Sequence, residues 1–299
     1  MRGIILYEDR VRVAILTLRS DNAKTGDMAQ AWILSRNVNP FSASITGTDK
    51  HVCGDCKHRF RALGTCYVNL ARAPTSVWKA YHRGLYRPAT PKDLRRIRGK
   101  EIRLGAYGDP AFVPFDVWRR LLDASSAEHT GYTHQWRSCD PRFKQIVMAS
   151  VDSLAERAEA KTLGWRTFRI RNEGEKIVRG EMQCPAAAEA GHAEQCIGCP
   201  SKCSGGEGRD AGIIVHGMLR KRFLPVVVSL CRSRDFAQHR TICSGAVTRT
   251  ASNNIRCRRT TKTWRSIWRC KIPYPAQHAA RRWAWIRWSM ATWTATSSM

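Results

Sequence analysis

The 299-residue sequence is poor in acid: 24 Asp and Glu stand against 51 Lys and Arg. It has no apolar run of membrane-spanning length, so no bilayer-crossing helix is expected. Its first twenty residues do not read as a secretory leader. Glu8 and Asp9 precede an apolar run that Arg12 breaks, and no small-residue cleavage site follows. Gly-x-Ser-x-Gly and His-Glu-x-x-His patterns are both missing, which removes the hydrolase elbow and the zinc-protease helix. A chain without a leader is expected in a reduced, cytosolic compartment, where closely spaced cysteines are more often metal ligands than disulfides.

The basic excess is unevenly placed. Residues 218–299 hold seventeen Lys and Arg and one acid, Asp235, so they carry +16 of the formal +27. They also hold six Trp and keep neither a 3.6 nor a 2 period. One reading pairs Arg256, Arg258, Arg259, Arg281 and Arg282 with phosphates while Trp264, Trp268, Trp283 and Trp285 stack on bases, so nucleic acid is a candidate partner. The composition favours another: a disordered or out-of-frame basic tail, from which no partner follows.

Twelve cysteines are present, seven of them in two sets. Cys53, Cys56 and Cys66 are spaced C-x2-C-x9-C, and a tight turn between the first two can aim both thiolates at one ion. His51 or His58 could complete this set as a closed zinc site. Cys184, Cys196, Cys199 and Cys203 are spaced C-x11-C-x2-C-x3-C, enough for an all-sulfur site holding Zn²⁺ or an iron–sulfur cluster. Cys139 stands alone and reads as structural. Cys231, Cys243, Cys257 and Cys270 show no ligand spacing.

Three segments are predicted. Residues 1–21 form a leader, either an added edge strand or unstructured, 22–217 a cysteine-rich core, and 218–299 the tail. In the core, a polar turn before Ala29 leads into a short apolar element. Val77, Trp78 and Tyr81 share one helical face that ends at Gly84. Strands are expected at 102–106, 131–135, 144–150, 165–170 and 212–215. Helices are expected at 113–123, with Val117, Trp118, Leu121 and Leu122 inward, and at 154–163, opened by a Ser153/Glu156 capping box and stopped at Gly164. Strands alternating with helices predict an α/β fold with parallel pairing, a full or partial (β/α) barrel. In such folds chemistry collects at the carboxyl ends of the strands. Here those ends carry Gly108-Asp109-Pro110, His134, Ser150-Val151-Asp152-Ser153, Arg169 to Arg171, and His216.

Residues 22–217 resemble a set of bacteriophage and prophage proteins of unknown function. The resemblance rests on Thr25-Gly26-Asp27-Met28-Ala29-Gln30, Cys53-Gly54-Asp55-Cys56, Gly64 to Asn69, Arg103 to Pro110, Gly131 to Trp136, Met148 to Ser153 and the later cysteine-rich stretch. It implies a bacterial host cytoplasm and names no activity. The order of features also resembles, more distantly, the radical S-adenosylmethionine enzymes. That superfamily has a three-cysteine loop after its first strand, a Gly-Gly-Glu-Pro-like turn after the second and a Ser-x-Asp turn after the fourth. The resemblance implies that Cys53, Cys56 and Cys66 hold three irons of a [4Fe–4S] cluster whose fourth iron takes S-adenosylmethionine. It implies further that Gly108, Asp109 and Pro110 meet the cofactor's amino group, and that Ser150 and Asp152 face its ribose or the substrate. The superfamily's usual spacing is C-x3-C-x2-C with an aromatic residue before the last cysteine, whereas here Tyr67 follows Cys66.

Two functions are therefore expected. One is a phage-related iron–sulfur enzyme acting on a nucleotide, nucleic acid or peptide. The other is a non-catalytic, zinc-stapled phage protein that binds nucleic acid.

Overall fold

The computed structural model describes residues 3–223, which fall within one unit, Met1–Val226. The tail expected from Met218 lies outside the described residues after Phe223, as do the arginines and tryptophans proposed to bind nucleic acid.

Ten strands among the described residues share one sheet. They are β1 (Gly3–Glu8), β2 (Arg12–Thr17), β3 (Ala29–Ser35), β4 (Arg87–Pro88), β5 (Ile102–Tyr107), β6 (His129–Thr133), β7 (Met148–Val151), β8 (Thr167–Arg171), β9 (Glu181–Gln183) and β10 (Asp210–Ile214). Their order across the sheet is β4-β1-β2-β3-β5-β6-β7-β8-β10-β9. From β3 through β5, β6, β7 and β8 to β10, six strands lie side by side in chain order, each parallel to the last.

The fold is therefore α/β and mostly parallel, with two departures from expectation. The sheet is open, with β4 and β9 at its edges, so the full barrel is not formed. Residues 3–17, expected to be a leader, make an antiparallel hairpin whose second strand pairs with β3 along Arg12–Thr17. Period-2 alternation marks a strand without saying which way its neighbour runs, and two strands joined by a short turn can only meet antiparallel. All seven residues of β3 are buried, as befits a strand flanked on both edges and covered on both faces.

The helices between the parallel strands follow from their apolar spacing and caps. They are α1 (Pro40–Thr46), α2 (Lys50–Cys53), α3 (Ala73–His82), α4 (Pro91–Arg96), α5 (Phe115–Ser125) and α6 (Leu154–Thr162). In α5, Trp118, Leu121 and Leu122 are buried one turn apart, while Val117 is only half-buried. Trp118 Nε1 donates to the Pro110 carbonyl at 2.9 Å, tying the helix to the turn that closes β5. Ser153 caps α6 by accepting from Glu156 N. The reciprocal half of the expected capping box is replaced: the Glu156 carboxylate accepts from Asp152 N at 2.7 Å instead. The strand expected at 144–150 starts only at Met148, because Asp140 and Pro141 open a 3-10 turn over Pro141–Gln145.

Gly108 is fixed in the left-handed region at φ +81, and a Cβ there would lie 2.4 Å from the Ile33 carbonyl oxygen. A backbone atom of the neighbouring strand cannot swing aside as a side chain can. Gly108→Ala should therefore cost more than about 2 kcal/mol, from the positive φ and the clash together. Urea unfolding checks this; a midpoint within error of the parent's would mean that the turn is not fixed in this conformation.

Candidate functional site

The first thiol set is built by a helix end and a folded loop. Cys53 is the last residue of α2, and Gly54 turns the chain so that Cys56 N donates to the Cys53 carbonyl at 3.2 Å. Gln135 packs where a side chain at Gly54 would stand, and its Nε2 donates to the Cys53 carbonyl at 3.4 Å. Arg59 then gathers the loop. Its guanidinium donates to Asp49 Oδ1 and to the Gly47 and Gly54 carbonyls. Cys66 N donates to the His58 carbonyl at 2.8 Å, bringing the third cysteine back beside the first two.

This loop is seated on the carboxyl ends of three successive parallel strands. At the end of β5, Asp109 N donates to the Val52 carbonyl at 2.7 Å. At the end of β6, His134 Nε2 lies 3.7 Å from Cys56 Sγ. At the end of β7, Asp152 Oδ1 lies 2.9 Å from His58 Nε2, and His58 Nδ1 lies 2.7 Å from Thr65 Oγ1. The chain Thr65–His58–Asp152 thus ties both halves of the loop to β7. Phe223 is buried and stacks on the His58 ring at 5.6 Å. The segment expected to start a separate tail therefore packs on this site, because its apolar ring finds an imidazole face to cover.

Electrostatics agree with the grouping. Burial pushes the Cys53 thiol far up, and Cys56 and Cys66 push it further, as close thiols do when each would repel a second charge. Burial also raises Cys56, with Cys66 next in effect. Asp152 is pushed up by its own burial, but its bond to His58 and the nearby His134 and Lys57 outweigh this and hold it below the usual carboxylate range. Burial lowers His134, so its imidazole is neutral near pH 7.

The carboxylates expected to meet a cofactor are engaged within the protein. Asp109 accepts from Ala111 N at 3.0 Å and His134 N at 2.7 Å, holding the ends of β5 and β6 together. Asp152 is engaged by His58 and lies 3.9 Å from Lys57 Nζ. Gly108 and Pro110 shape the turn, Ser150 is buried, and the buried Tyr107 Oη has no hydrogen-bond partner among the described residues. His58 does not complete a zinc site with the thiols, since both of its ring nitrogens are taken. His51 is exposed. Arg169 belongs elsewhere, paired with Glu181, and His216 stacks on Tyr67 at 4.6 Å.

Sequence reasoning placed His134 at a strand end and mentioned His58 beside the thiols, yet missed that they meet. The ligand atoms of His58, His134 and Asp152 lie within 4.8 Å of one another, the one such set of three or more among the described residues.

The second set gathers beside β6. Cys184 and its neighbours Ala186 and Ala187 form a small core with Met148, Phe168, Ala211 and Ile213, against which Tyr132, Cys196 and Cys203 pack. Gly131 N donates to the Cys203 carbonyl at 2.9 Å. Burial pushes the Cys203 thiol up to about 12, with Cys184 and Cys196 adding to the rise. Each raised thiol must lose a proton to bind a metal, so metal affinity should climb with pH. The logarithm of that affinity should rise by up to about four per pH unit for a four-thiolate site. Chelator competition between pH 6 and 9 measures the slope, and a flat profile would show that these thiols are not the ligands.

Fold and site together define an α/β chain with two separate thiol-lined centres. No protein-family description, curated protein or solved structure matches it. Among the described residues no helix is long and apolar enough to cross a membrane.

Proposed function

We propose that the chain is an iron–sulfur enzyme of the radical S-adenosylmethionine kind, with a [4Fe–4S] cluster on Cys53, Cys56 and Cys66. The observation that carries this reading is the seating of a three-thiol loop on the carboxyl ends of parallel strands that follow one another in the chain. The loop follows β3, the first of six such strands; the Gly108–Pro110 turn follows the second and Ser150–Asp152 the fourth. This is the feature order that the radical S-adenosylmethionine enzymes carry on a partial (β/α) barrel. When bound, the cluster and S-adenosylmethionine supply a one-electron cleavage of the sulfonium.

The protein's own part is to position. Asp109 and Asp152 lock the strand ends and the loop, Ser150 and the 108–110 turn line the place where the cofactor's ribose and amino group would lie, and Phe223 shields His58 from water. The substrate is a nucleotide, nucleic acid or peptide. The second set holds an auxiliary cluster or a zinc ion. Metal and acid-labile sulfide, measured on the full chain purified without oxygen, test the reading. Iron with matching sulfide is expected, followed by cleavage of S-adenosylmethionine under reductant. Zinc without sulfide would sink it and leave the zinc-stapled alternative.

A further inference from the structure

Of three cations beside the second thiol set with no acid to balance them, Arg166 donates to the Lys202, Ser204 and Arg209 carbonyls, which leaves Arg103 and Lys24. Arg103, in β5, is 8% exposed, and its one hydrogen bond among the described residues is to Tyr67 Oη, a neutral phenol. Arg103 pairs with Thr130 of β6, one register step from Gly131, whose N–H holds the Cys203 carbonyl. Alternation along β6 puts Tyr132 on the same side as Thr130, and Tyr132 packs against the same small core as Cys196 and Cys203. The guanidinium therefore lies on the face of the sheet that the thiols cover.

Lys24 arrives from the other side. The turn at 22–26 is laced to the cysteine loop by three bonds: Gln195 Nε2 to the Ala23 carbonyl at 2.8 Å, Cys196 N to the Lys24 carbonyl at 3.0 Å and Ile197 N to the Thr25 carbonyl at 3.1 Å. This gives a purpose to the Thr25-Gly26 turn, which the first site does not use. Lys202 also approaches Cys196, but it is paired with Glu101, whereas Arg103 and Lys24 form no ion pair among the described residues.

A buried guanidinium with only a phenol for company costs several kcal/mol unless an anion completes its surroundings. Four neutral thiols offer none. Four thiolates around a divalent ion, or around a [4Fe–4S] core of charge two, carry two net negative charges. Arg103 and Lys24 carry two positive ones, and Arg166, held by backbone carbonyls, a third.

We propose that Arg103 and Lys24 are the built-in counter-charge of a metal–thiolate centre held by Cys184, Cys196, Cys199 and Cys203. They are positioning and charge-balancing residues. The inference rests on the reading that the second set binds metal.

The test uses the full chain with Cys53, Cys56 and Cys66 replaced by alanine, so that metal reports on the second set alone. Into it go Arg103→Met, Arg103→Lys and Lys24→Met, each purified without oxygen. Zinc, iron and sulfide per chain are measured, with chelator competition for affinity and circular dichroism for fold. Zinc without sulfide and iron with sulfide satisfy the proposal equally. Each Met variant should hold metal about tenfold or more weakly, the range for outer-shell partners, while Arg103→Lys should stay near the parent because the charge is kept. Parental affinity in a folded Arg103→Met chain would overturn the proposal. So would an Arg103→Lys variant as weak as Arg103→Met, since shape and not charge would then be at stake. Should Arg103→Met fail to fold, the half-buried Lys24→Met decides by the same criterion. A parent that holds no metal would refute the metal reading of the second set itself, and the counter-charge with it.

Discussion

Replacing Cys53, Cys56 and Cys66 together with alanine is expected to remove about four irons and four sulfides per chain, one [4Fe–4S] equivalent, and the visible absorbance that goes with them. The second thiol set should keep its metal, because its ligands and packing partners lie in a separate small core around Met148 and Phe168. The loss should be nearly complete, since each thiolate holds its own iron and a cluster cannot rest on fewer anchors. Protein stability should fall as well, because the loop's binding energy for metal is folding energy. The loop will not vanish, however: Arg59 still reaches Asp49, and His58 still reaches Asp152. A folded variant that has lost the colour of this one cluster is the expected product. Unchanged iron and sulfide would place the cluster elsewhere and end the radical reading of this site.

Glu181→Ala should be the most destabilising single change in the described fold, by about 3–5 kcal/mol. Glu181 and Arg169 are both buried, and the guanidinium grips the carboxylate through Nε at 2.7 Å and a terminal nitrogen at 2.8 Å. Removing the carboxylate strands a cation that Glu175, itself one-third exposed, balances only in part. It also loosens Arg157, whose other partner is Asp210. The double change Arg169→Met with Glu181→Leu should recover most of the loss, because an apolar pair of similar volume needs no desolvated partner. Denaturant unfolding of the two singles and the double decides between these terms. A Glu181→Ala cost below about 1 kcal/mol would mean that water reaches Arg169 and takes the carboxylate's place.

The elements with a clean period were legible in the sequence. Trp118, Leu121 and Leu122 fixed the inner face of α5, Ser153 fixed the start of α6, and the β-rich run at 102–106 became β5. Pairing direction was not legible in the hairpin of β1 and β2, because alternation is the same in either sense. The three-residue β9 carries too few residues for any period. The cysteine spacings were plain, yet spacing says nothing about what stands opposite. His58, His134 and Asp152 are 76 and 18 residues apart and meet only because β6 and β7 are neighbours. Arg103 was hidden for a related reason: a lone arginine in an apolar strand reads as an outward-facing charge until the cysteine loop is folded over it.

The strand order has a consequence for synthesis. Each of β3, β5, β6, β7, β8 and β10 adds beside a strand already made, while β9 waits for β10, so most of the sheet can grow as the chain leaves the ribosome. The first thiol loop is fully seated once Asp152 has emerged, while the second set waits for Cys203, about fifty residues later. At about 5–20 residues per second that is an interval of roughly 3–10 s. A chain being loaded by an iron–sulfur donor would therefore present one complete centre before the other exists, and the order of filling would be written into the order of translation.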